Sequence, residues 1–464
     1  MANPRAAQWR NHTGITRPVL DSTVVLTSRP AWTDHSTYLV QQREQCIAAA
    51  DNDPSSPRPS LEKAPPLHQL LSIADLQESA LRVLSPKAIS YYASASDDEI
   101  TKHANSRIFQ SILLRPRVFR DCTSCSLSTT IVGNKVGIPL FVSPAASARL
   151  AHRDGETGIA RACARFGALQ VISHNASMRP ADIVNSVNTR TSMSDAASPY
   201  GHESNLPPVS FAWQLYVLKD LATSERILAE IKKLPQIKFI VLTLDAPFPG
   251  KREADERHKA RDLRTGGAQA QPQVWGTEAG LTWHKTLSWL VRHTDLPIVL
   301  KGLQSWEDVY LAASLAEPQQ GQQYPFSGRL RGVILSNHGG RALDTTTTPV
   351  HVLLDIHRFC PEVLSKLDIL IDGGIQRGTD IVKALALGAK AVGIGRAALY
   401  GLAVGGEDGV ARALEILAEE TTTAMKLLGV TSPDELRPHH VSLCSLSSQL
   451  TRAVFIHFCS RGRQ

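Results

Sequence analysis

The sequence predicts an α/β protein of the TIM type, a (β/α)8 barrel in which eight parallel strands alternate with helices. Short runs rich in apolar and β-branched residues recur along the chain, and amphipathic stretches separate them. Runs that are apolar on both faces are typical of parallel strands covered on both sides. The runs are Pro139–Val142, Leu169–Ile172, Val209–Val217, Phe239–Leu244, Ile298–Leu300, Gly332–Leu335, Ile369–Ile371 and Ala391–Ile394.

An open doubly wound sheet is the alternative to the barrel. Its glycine-rich dinucleotide motif should follow the first strand. No such motif follows an early run, and the glycine-rich stretch Gly401–Gly409 falls in a helical region near the C-terminus. The barrel is therefore favoured. The helical patterns are Ile73–Leu84, Glu156–Phe166, Ala222–Lys232, Trp306–Leu315, Asp380–Leu387 and Gly409–Lys426.

The regular pattern occupies the central part of the 464-residue chain. Residues 1–66 show no sustained periodicity, so we expect a largely disordered N-terminal extension. Residues 67–445 are predicted to form the barrel domain, and residues 446–464 a C-terminal tail. The polar stretches Thr191–Pro208 and Pro318–Gly328 are predicted insertions.

Composition narrows the function classes. The net charge is +7, but the basic residues are scattered, which argues against a nucleic-acid partner. The seven cysteines are sparse and odd in number, so we expect reduced thiols and an intracellular, cytoplasmic protein, with peroxisomes and mitochondria left open. Cys122 and Cys125 form a lone pair without further metal ligands, so no metal site is expected. No apolar run is long enough to span a membrane.

Polar residues follow nearly every predicted strand. In a barrel the chemistry lies at the C-terminal ends of the strands, so these side chains should converge. The loops Asp372–Gly378 and Gly395–Arg396 follow the last two strands, where barrels usually bind phosphate. Glycine allows close backbone approach and arginine can grip phosphate through two bonds. A phosphate-bearing ligand is therefore expected, with Lys301 facing its head group.

The sixth strand supplies a base and a cation together. His338 is the residue type best suited to moving a proton near neutral pH. Arg341 could hold a carboxylate, and Asp245 could orient the imidazole. Serine nucleophile chemistry is not expected, because the Gly-x-Ser-x-Gly motif is absent.

The segment Ser336–Asp344 (SNHGGRALD) resembles the active-site segment of the FMN-dependent 2-hydroxy acid oxidases and dehydrogenases. This family includes glycolate oxidase, lactate oxidase, mandelate dehydrogenase and haem-fused L-lactate dehydrogenase. The likeness extends from about Leu67 to Leu443. Further matching blocks are Tyr91–Ser94, Gln214–Val217, Thr243–Pro247, Lys251–Asp255, Leu296–Gly302 and Asp372–Asp380.

The resemblance implies FMN as cofactor and oxidation of an L-2-hydroxy acid to the 2-oxo acid. His338 would be the base, with Asp245 paired to it. Arg252 and Arg341 would bind the substrate carboxylate. Tyr91 would donate to that carboxylate, and Tyr216 would bond near the reacting oxygen. Cofactor contacts would come from Pro144, Ala145, Ala146, Ser173, Gln214, Thr243, Lys301, Ser336, Asp372, Gly373, Gly374, Ile375, Gln376, Gly395 and Arg396.

The sequence departs from the family pattern at several positions. Gln376 stands where the family usually has a phosphate-binding arginine, and Asn175 occupies a position expected to face the substrate side chain. Pro249 lies in another pocket-facing loop, while Ala342 and Ala397 replace a usual glutamine and proline. These departures favour a larger or more polar acid than lactate or glycolate, as in a tailoring oxidase of a secondary pathway.

The haem-module ligand segment His-Pro-Gly-Gly is absent, so we expect oxygen as the electron acceptor, with a protein or quinone acceptor left open. The resemblance also implies a homo-oligomer, a tetramer in the family. Two alternatives remain: an FMN barrel enzyme of another kind, such as an isomerase, and a non-catalytic remnant of the family. The first would not need the histidine and two arginines. The second conflicts with the full set of matching site residues.

Overall fold

A computed structural model describes residues 64–188, 206–264, 277–317 and 324–443, with the backbone alone for 262–264. The predicted extension up to residue 63, the predicted tail 446–464 and most of both predicted insertions lie outside the described residues.

Eight parallel strands form a closed barrel, which confirms the predicted fold class. The barrel closes where Val392 of the last strand pairs with Leu140 of the first. The described strands are β1 (Ile112–Leu114), β2 (Thr129–Ile131), β3 (Asn134–Val136), β4 (Leu140–Val142), β5 (Leu169–Ile172), β6 (Phe211–Leu215), β7 (Ile237–Thr243), β8 (Ile298–Leu303), β9 (Leu330–Leu335), β10 (Asp368–Asp372), β11 (Ala391–Ile394) and β12 (Val441–Leu443), of which β4 to β11 form the barrel.

Helices follow the barrel strands and cover their outer faces with apolar side chains. Several begin at a serine or threonine whose side chain accepts from a backbone N–H, as Ser305 does from Asp308 and Thr348 from His351. The described helices are α1 (Ile73–Val83), α2 (Pro86–Tyr92), α3 (Ile100–Gln110), α4 (Gly155–Phe166), α5 (Pro180–Asn185), α6 (Leu221–Lys232), α7 (Glu253–Arg264), α8 (Trp283–His293), α9 (Trp306–Ala316), α10 (Pro349–Phe359), α11 (Gly378–Ala386) and α12 (Arg396–Leu428).

The last helix is longer than the sequence pattern predicts. The pattern indicated a start at Gly409, whereas α12 begins at Arg396. Gly405 and Gly406 depart from helical backbone angles within it. This kink interrupts the apolar periodicity, so only the second segment was recognised.

A hairpin of β2 and β3 closes the N-terminal end of the barrel. Its Ile131 and Val136 belong to the same buried cluster as the inward-facing residues of the strands. The backbone N–H of Val132 also donates to the carboxylate of Asp368 at the start of β10, at 2.7 Å. Because this end is filled with apolar side chains, the opposite end is left for polar ones. In the described part of the chain, no helix combines the length and the apolar character needed to cross a membrane.

A substitution at Val136 tests how much this hairpin contributes to the stability of the barrel. Its side chain is 1% exposed, whereas Val118 is 79% exposed. We expect Val136→Ala to lower the free energy of unfolding by about 2 kcal/mol, because two buried carbons are lost and a cavity remains. Val118→Ala is the matched control and should change it by less than about 0.5 kcal/mol. Urea unfolding measures both, and equal effects would contradict this assignment of the core.

Candidate active site

The imidazole of His338 lies next to a buried carboxylate. Its Nδ1 is 2.9 Å from Oδ1 of Asp245, whose side chain is 0% exposed. Burial alone would raise the pKa of Asp245, but His338 and Lys301 hold it below its ordinary value. The carboxylate is therefore ionised and can accept a proton from Nδ1 of the imidazole. The lone pair is then on Nε2, which makes His338 suited to act as a base.

His338 lies in a stretch of left-handed backbone. His338, Gly339 and Gly340 have φ values of 58°, 65° and 76°. Such a conformation is costly for a residue other than glycine and is maintained only by its surroundings. The Oγ of Ser336 accepts from the N–H of His338 at 3.1 Å, and the carbonyl of Gly340 accepts from the N–H of Ser96 at 2.8 Å.

A buried lysine lies beside the pair. The Nζ of Lys301 donates to Oγ of Ser336 at 2.8 Å and is 3.5 Å from Oδ2 of Asp372. Burial favours the neutral amine, but the carboxylates of Asp372 and Asp245 raise the pKa of Lys301 above its ordinary value. Lys301 is therefore a fixed cation at the C-terminal end of the barrel.

Two guanidinium groups contact one tyrosine ring. The Cζ atoms of Arg252 and Arg341 each lie 5.2 Å from the centre of the Tyr91 ring. Arg252 also pairs with Asp255 at 3.2 Å. Nη1 of Arg341 donates to backbone carbonyls, including that of Tyr91 at 2.8 Å. Both cations are therefore fixed in place.

The two cations repel each other. Burial, followed by the charge of Arg252, lowers the pKa of Arg341 to about 10. An anion between or beside the two groups would relieve this repulsion in a site of low dielectric. A carboxylate is well matched to such a site, because guanidinium groups bind it through paired hydrogen bonds.

Tyr216 follows β6 in the same region. Burial, then the charge of Asp245, raises the pKa of its hydroxyl, so the phenol remains protonated. The ring of His174 is 5.8 Å from the Tyr216 ring, and burial lowers the pKa of His174 to about 4. His174 is therefore a neutral neighbour, and the charges near Tyr216 are those of Asp245 and the two arginines.

The two predicted phosphate loops lie side by side at the ends of β10 and β11. The backbone N–H groups of Gln376 and Arg377 donate to Asp380 at 3.1 Å, so the N–H groups of 373–375 are the candidates for holding an anion. Gly395 lies at the N-terminus of α12, with open space where its side chain would be. A helix N-terminus favours an anion.

Arg396 has a second role at this position. Its Nε donates to the carbonyl of Tyr92 at 3.0 Å, and its Nη2 to those of Ser94 and Gly339 at 3.3 and 3.1 Å. The guanidinium thus ties the end of α2 to the loop of His338. Burial lowers its pKa, but the group stays charged at neutral pH.

Several buried polar atoms at the C-terminal ends of the strands lack a hydrogen-bond partner within the described part of the chain. Among the described residues, Nε2 of Gln214, Oγ1 of Thr243 and Oδ1 of Asp372 have no hydrogen-bond partner. Buried polar atoms in folded proteins are nearly always paired. Oε1 of Gln214 accepts from the N–H of His174 at 2.9 Å, which fixes the amide so that Nε2 is the free end. A flat ligand with several donors and acceptors, such as a flavin ring, fits this set.

The other predicted residues occupy the same end of the barrel. Pro144, Ala145 and Ala146 follow β4 and are half-buried. The Oγ of Ser173 accepts from the N–H of Asn175 at 3.2 Å. Ile375 is 6% exposed and belongs to the apolar core, so only its backbone is available to a ligand. No group of three potential metal ligands occurs within the described ranges.

Sequence reasoning missed Asn105 on α3. Its side-chain amide is buried and exchanges hydrogen bonds with that of Asn337, next to His338. The two residues are 232 positions apart, so no local spacing connects them. The only signal was the presence of a polar residue within an amphipathic helix.

The fold and the site define a class: a closed (β/α)8 barrel with a half-buried histidine paired to a buried carboxylate, two neighbouring guanidinium groups and glycine-rich loops at the C-terminal ends of its strands. A family model described as FMN-dependent dehydrogenase matches residues 80–443. The chain belongs to the FMN-dependent dehydrogenase family, and FMN is its cofactor.

Individual relatives agree with this assignment. The chain is 34% identical over 403 residues to the L-lactate dehydrogenase (cytochrome) of Wickerhamomyces anomalus, covering 84% of this chain and 64% of that protein. It therefore spans less than two thirds of that relative. It is 35% identical over 394 residues to the 2-hydroxyacid oxidase of Dictyostelium discoideum, covering 81% of this chain and 91% of that protein.

Solved structures give the same result. The flavin-binding domain of baker's yeast flavocytochrome b2 is similar with a TM-score of 0.71 and 32% identity, covering 88% of this chain and 92% of that one. A variant of mandelate oxidase with (S)-mandelic acid bound has a TM-score of 0.64 and 31% identity, covering 80% and 98%.

The depressed pKa of Asp245 predicts a pH-dependent contribution to stability. Since folding lowers this pKa, the ionised carboxylate stabilises the protein above the ordinary value of 3.8. That contribution is lost as the pH falls through the lower, folded value. The difference in free energy of unfolding between wild type and Asp245→Asn should therefore shrink as the pH falls below about 5. Urea unfolding between pH 7 and 3 measures it, and a difference that grew on acidification would contradict the direction of the shift.

Proposed function

We propose that this chain is an enzyme that oxidises an L-2-hydroxy acid to the 2-oxo acid, with His338 as the base. The observation that carries the proposal is the combination of the His338–Asp245 pair with two arginines whose guanidinium groups both contact the ring of Tyr91. A 2-hydroxy acid needs both parts, because its carboxylate must be held while its adjacent hydroxyl loses a proton.

FMN supplies the two-electron redox chemistry when bound. Its flavin ring would be held by Gln214, Thr243 and Lys301, where the first two offer unpaired polar atoms and the third a fixed cation. Its phosphate would lie against the backbone of 373–375 and the N-terminus of α12. Arg396 would add positive charge there while continuing to hold the carbonyls that it contacts. The other cofactor contacts implied by the resemblance are Pro144, Ala145, Ala146, Ser173, Ser336, Asp372, Gln376 and Gly395.

The substrate carboxylate would bind to Arg252 and Arg341, with a hydrogen bond from Tyr91. Tyr216 remains protonated and could donate to the oxygen on the reacting carbon. His338 would take the hydroxyl proton on Nε2, and the adjacent charge of Asp245 would stabilise the resulting imidazolium. Lys301 would compensate negative charge that develops at the edge of the cofactor.

Oxygen is our proposed electron acceptor, which would make the second product hydrogen peroxide. The names of the relatives include both oxidases and a cytochrome-linked dehydrogenase. The polar Asn175 favours a substrate with a larger or more polar side chain than that of lactate. The substrate is accordingly proposed as a non-standard 2-hydroxy acid.

The first experiment uses the flavin as its reporter. Purified protein should be yellow, and a panel of L-2-hydroxy acids should bleach it without oxygen. Rapid recovery of colour on adding air would support an oxidase. His338→Gln should keep FMN but lose turnover by about 10²-fold or more, because the proton acceptor is removed. Full activity in this variant would refute the base, and a protein that cannot bind FMN would refute the function.

The carboxylate anchor has a control nearby in the chain. Arg252 directly precedes α7 and is buried, whereas Arg257 lies within α7 and is exposed. We expect Arg252→Gln to lower kcat/KM by about 10²-fold, because a buried charged contact with the substrate is lost. Arg257→Gln should leave kcat/KM within about twofold. Equal effects of the two changes, measured by steady-state kinetics, would exclude Arg252 from the anchor.

A further inference from the structure

Helix α3 contacts two loops at the C-terminal end of the barrel. The His338 loop (336–344) follows β9, and the glycine loop (373–378) follows β10. A side chain at Gly340, in the His338 loop, would meet the backbone N of Lys102 at 2.7 Å. A side chain at Gly374, in the loop after β10, would meet the backbone of Asn105 at 2.3 Å. Both glycines have positive φ, at 76° and 80°. The helix backbone is therefore packed directly against the two loops.

The start of α3 is capped by the His338 loop. The carboxylate of Asp344 accepts from the N–H of Thr101 at 2.7 Å and from that of Ile100 at 3.1 Å. Hydrogen bonds to these amides lower the pKa of Asp344, against the effect of its burial. A carboxylate at a helix N-terminus is favourable, so the cap is a firm attachment.

One turn further on, two amide side chains bind each other. Nδ2 of Asn105 donates to Oδ1 of Asn337 at 2.8 Å, and Nδ2 of Asn337 donates back to Oδ1 of Asn105 at 2.8 Å. Each residue is 1% exposed. Asn337 also donates to the carbonyl of Thr347 at 3.1 Å. The pair is closed to water, so breaking one side leaves buried polar atoms unpaired.

We propose that Asn105 is a positioning residue that couples the loop of His338 to the glycine loop after β10. Asn337 directly precedes His338, whose left-handed backbone must be held by its neighbours. The same Asn105 backbone faces Gly374, and its Nδ2 lies 3.3 Å from where a Gly373 side chain would be. An anion that orders the glycine loop would thereby also order His338. This inference rests on the proposed function only for the identity of the ligand and the base.

Hydrogen exchange of residues 336–341 tests the proposal without using activity. In apoprotein, Asn105→Ala should speed exchange of this segment about tenfold, because the amide pair is lost. His103→Ala is the control, since His103 is exposed on the same helix. FMN should slow this exchange in wild type and in the control, and do so less in Asn105→Ala. Unchanged exchange in Asn105→Ala apoprotein would overturn the proposal.

Steady-state kinetics of the Asn105 and Asn337 variants provide a second test of the proposal. Asn105→Ala should lower kcat by about tenfold or more, with KM for the acid changed less than about threefold, because the base is displaced while the arginine anchor is kept. Asn337→Ala should lower kcat at least as much, because it also loses the bond to the carbonyl of Thr347. The double variant should be no worse than Asn337→Ala alone, since both changes break the same amide pair. Additive effects would overturn the coupling. If Asn105→Ala fails to fold, Asn337→Ala and Asn105→Ser carry the same comparison. A wild type that is yellow but never bleached would refute the proposed function and leave the exchange result standing.

Discussion

The contact between His338 and Asp245 is the interaction on which the rest of the site depends. It joins the ends of β7 and β9, which are separated by β8. Strand register places Lys301 of β8 beside Thr243 of β7. A fully buried carboxylate is costly unless opposite charges compensate it. Here the imidazole and Lys301 together keep Asp245 ionised, and the ionised acid in turn orients the imidazole of His338.

The positive charges around this contact make the site favourable for an anion. Arg252 and Arg341 both contact one aromatic ring, and their repulsion contributes to the lowered pKa of Arg341. Such repulsion opposes folding and would be relieved by an anion bound beside the two groups. Because Arg341 and Arg396 both donate to the carbonyl of Ser94, and Arg396 also donates to that of Gly339, the arginine pair, the loop of His338 and the start of α12 form one connected network.

Much of the fold could be predicted because each barrel strand is a local feature. The runs Leu169–Ile172 and Ala391–Ile394 agree with the strands residue for residue. The hairpin Thr129–Val136 was missed, since its three-residue strands are too short for a pattern and are stabilised by contact with the barrel interior. The start of α12 was missed because Gly405 and Gly406 break its periodicity.

The residues of the site likewise fall into those that the sequence could predict and those that it could not. His338 and Asp245 could be proposed because chemistry-bearing residues follow strands, where topology brings them together. The carbonyl contacts of Arg396 and the amide pair of Asn105 could not, since they join segments far apart in the chain. Gln376 is an intermediate case. The sequence shows that a glutamine stands where the family usually has an arginine, but it does not show that the backbone N–H of Gln376 donates to Asp380.

The most direct test is a crystal structure of the FMN-bound protein with a 2-oxo acid product. We expect the product carboxylate to contact both Arg252 and Arg341. We also expect the 2-oxo oxygen to lie within hydrogen-bond distance of His338 Nε2, while Nδ1 keeps its hydrogen bond to Asp245. A product bound away from the two arginines, or a His338 ring separated from Asp245, would contradict this expectation.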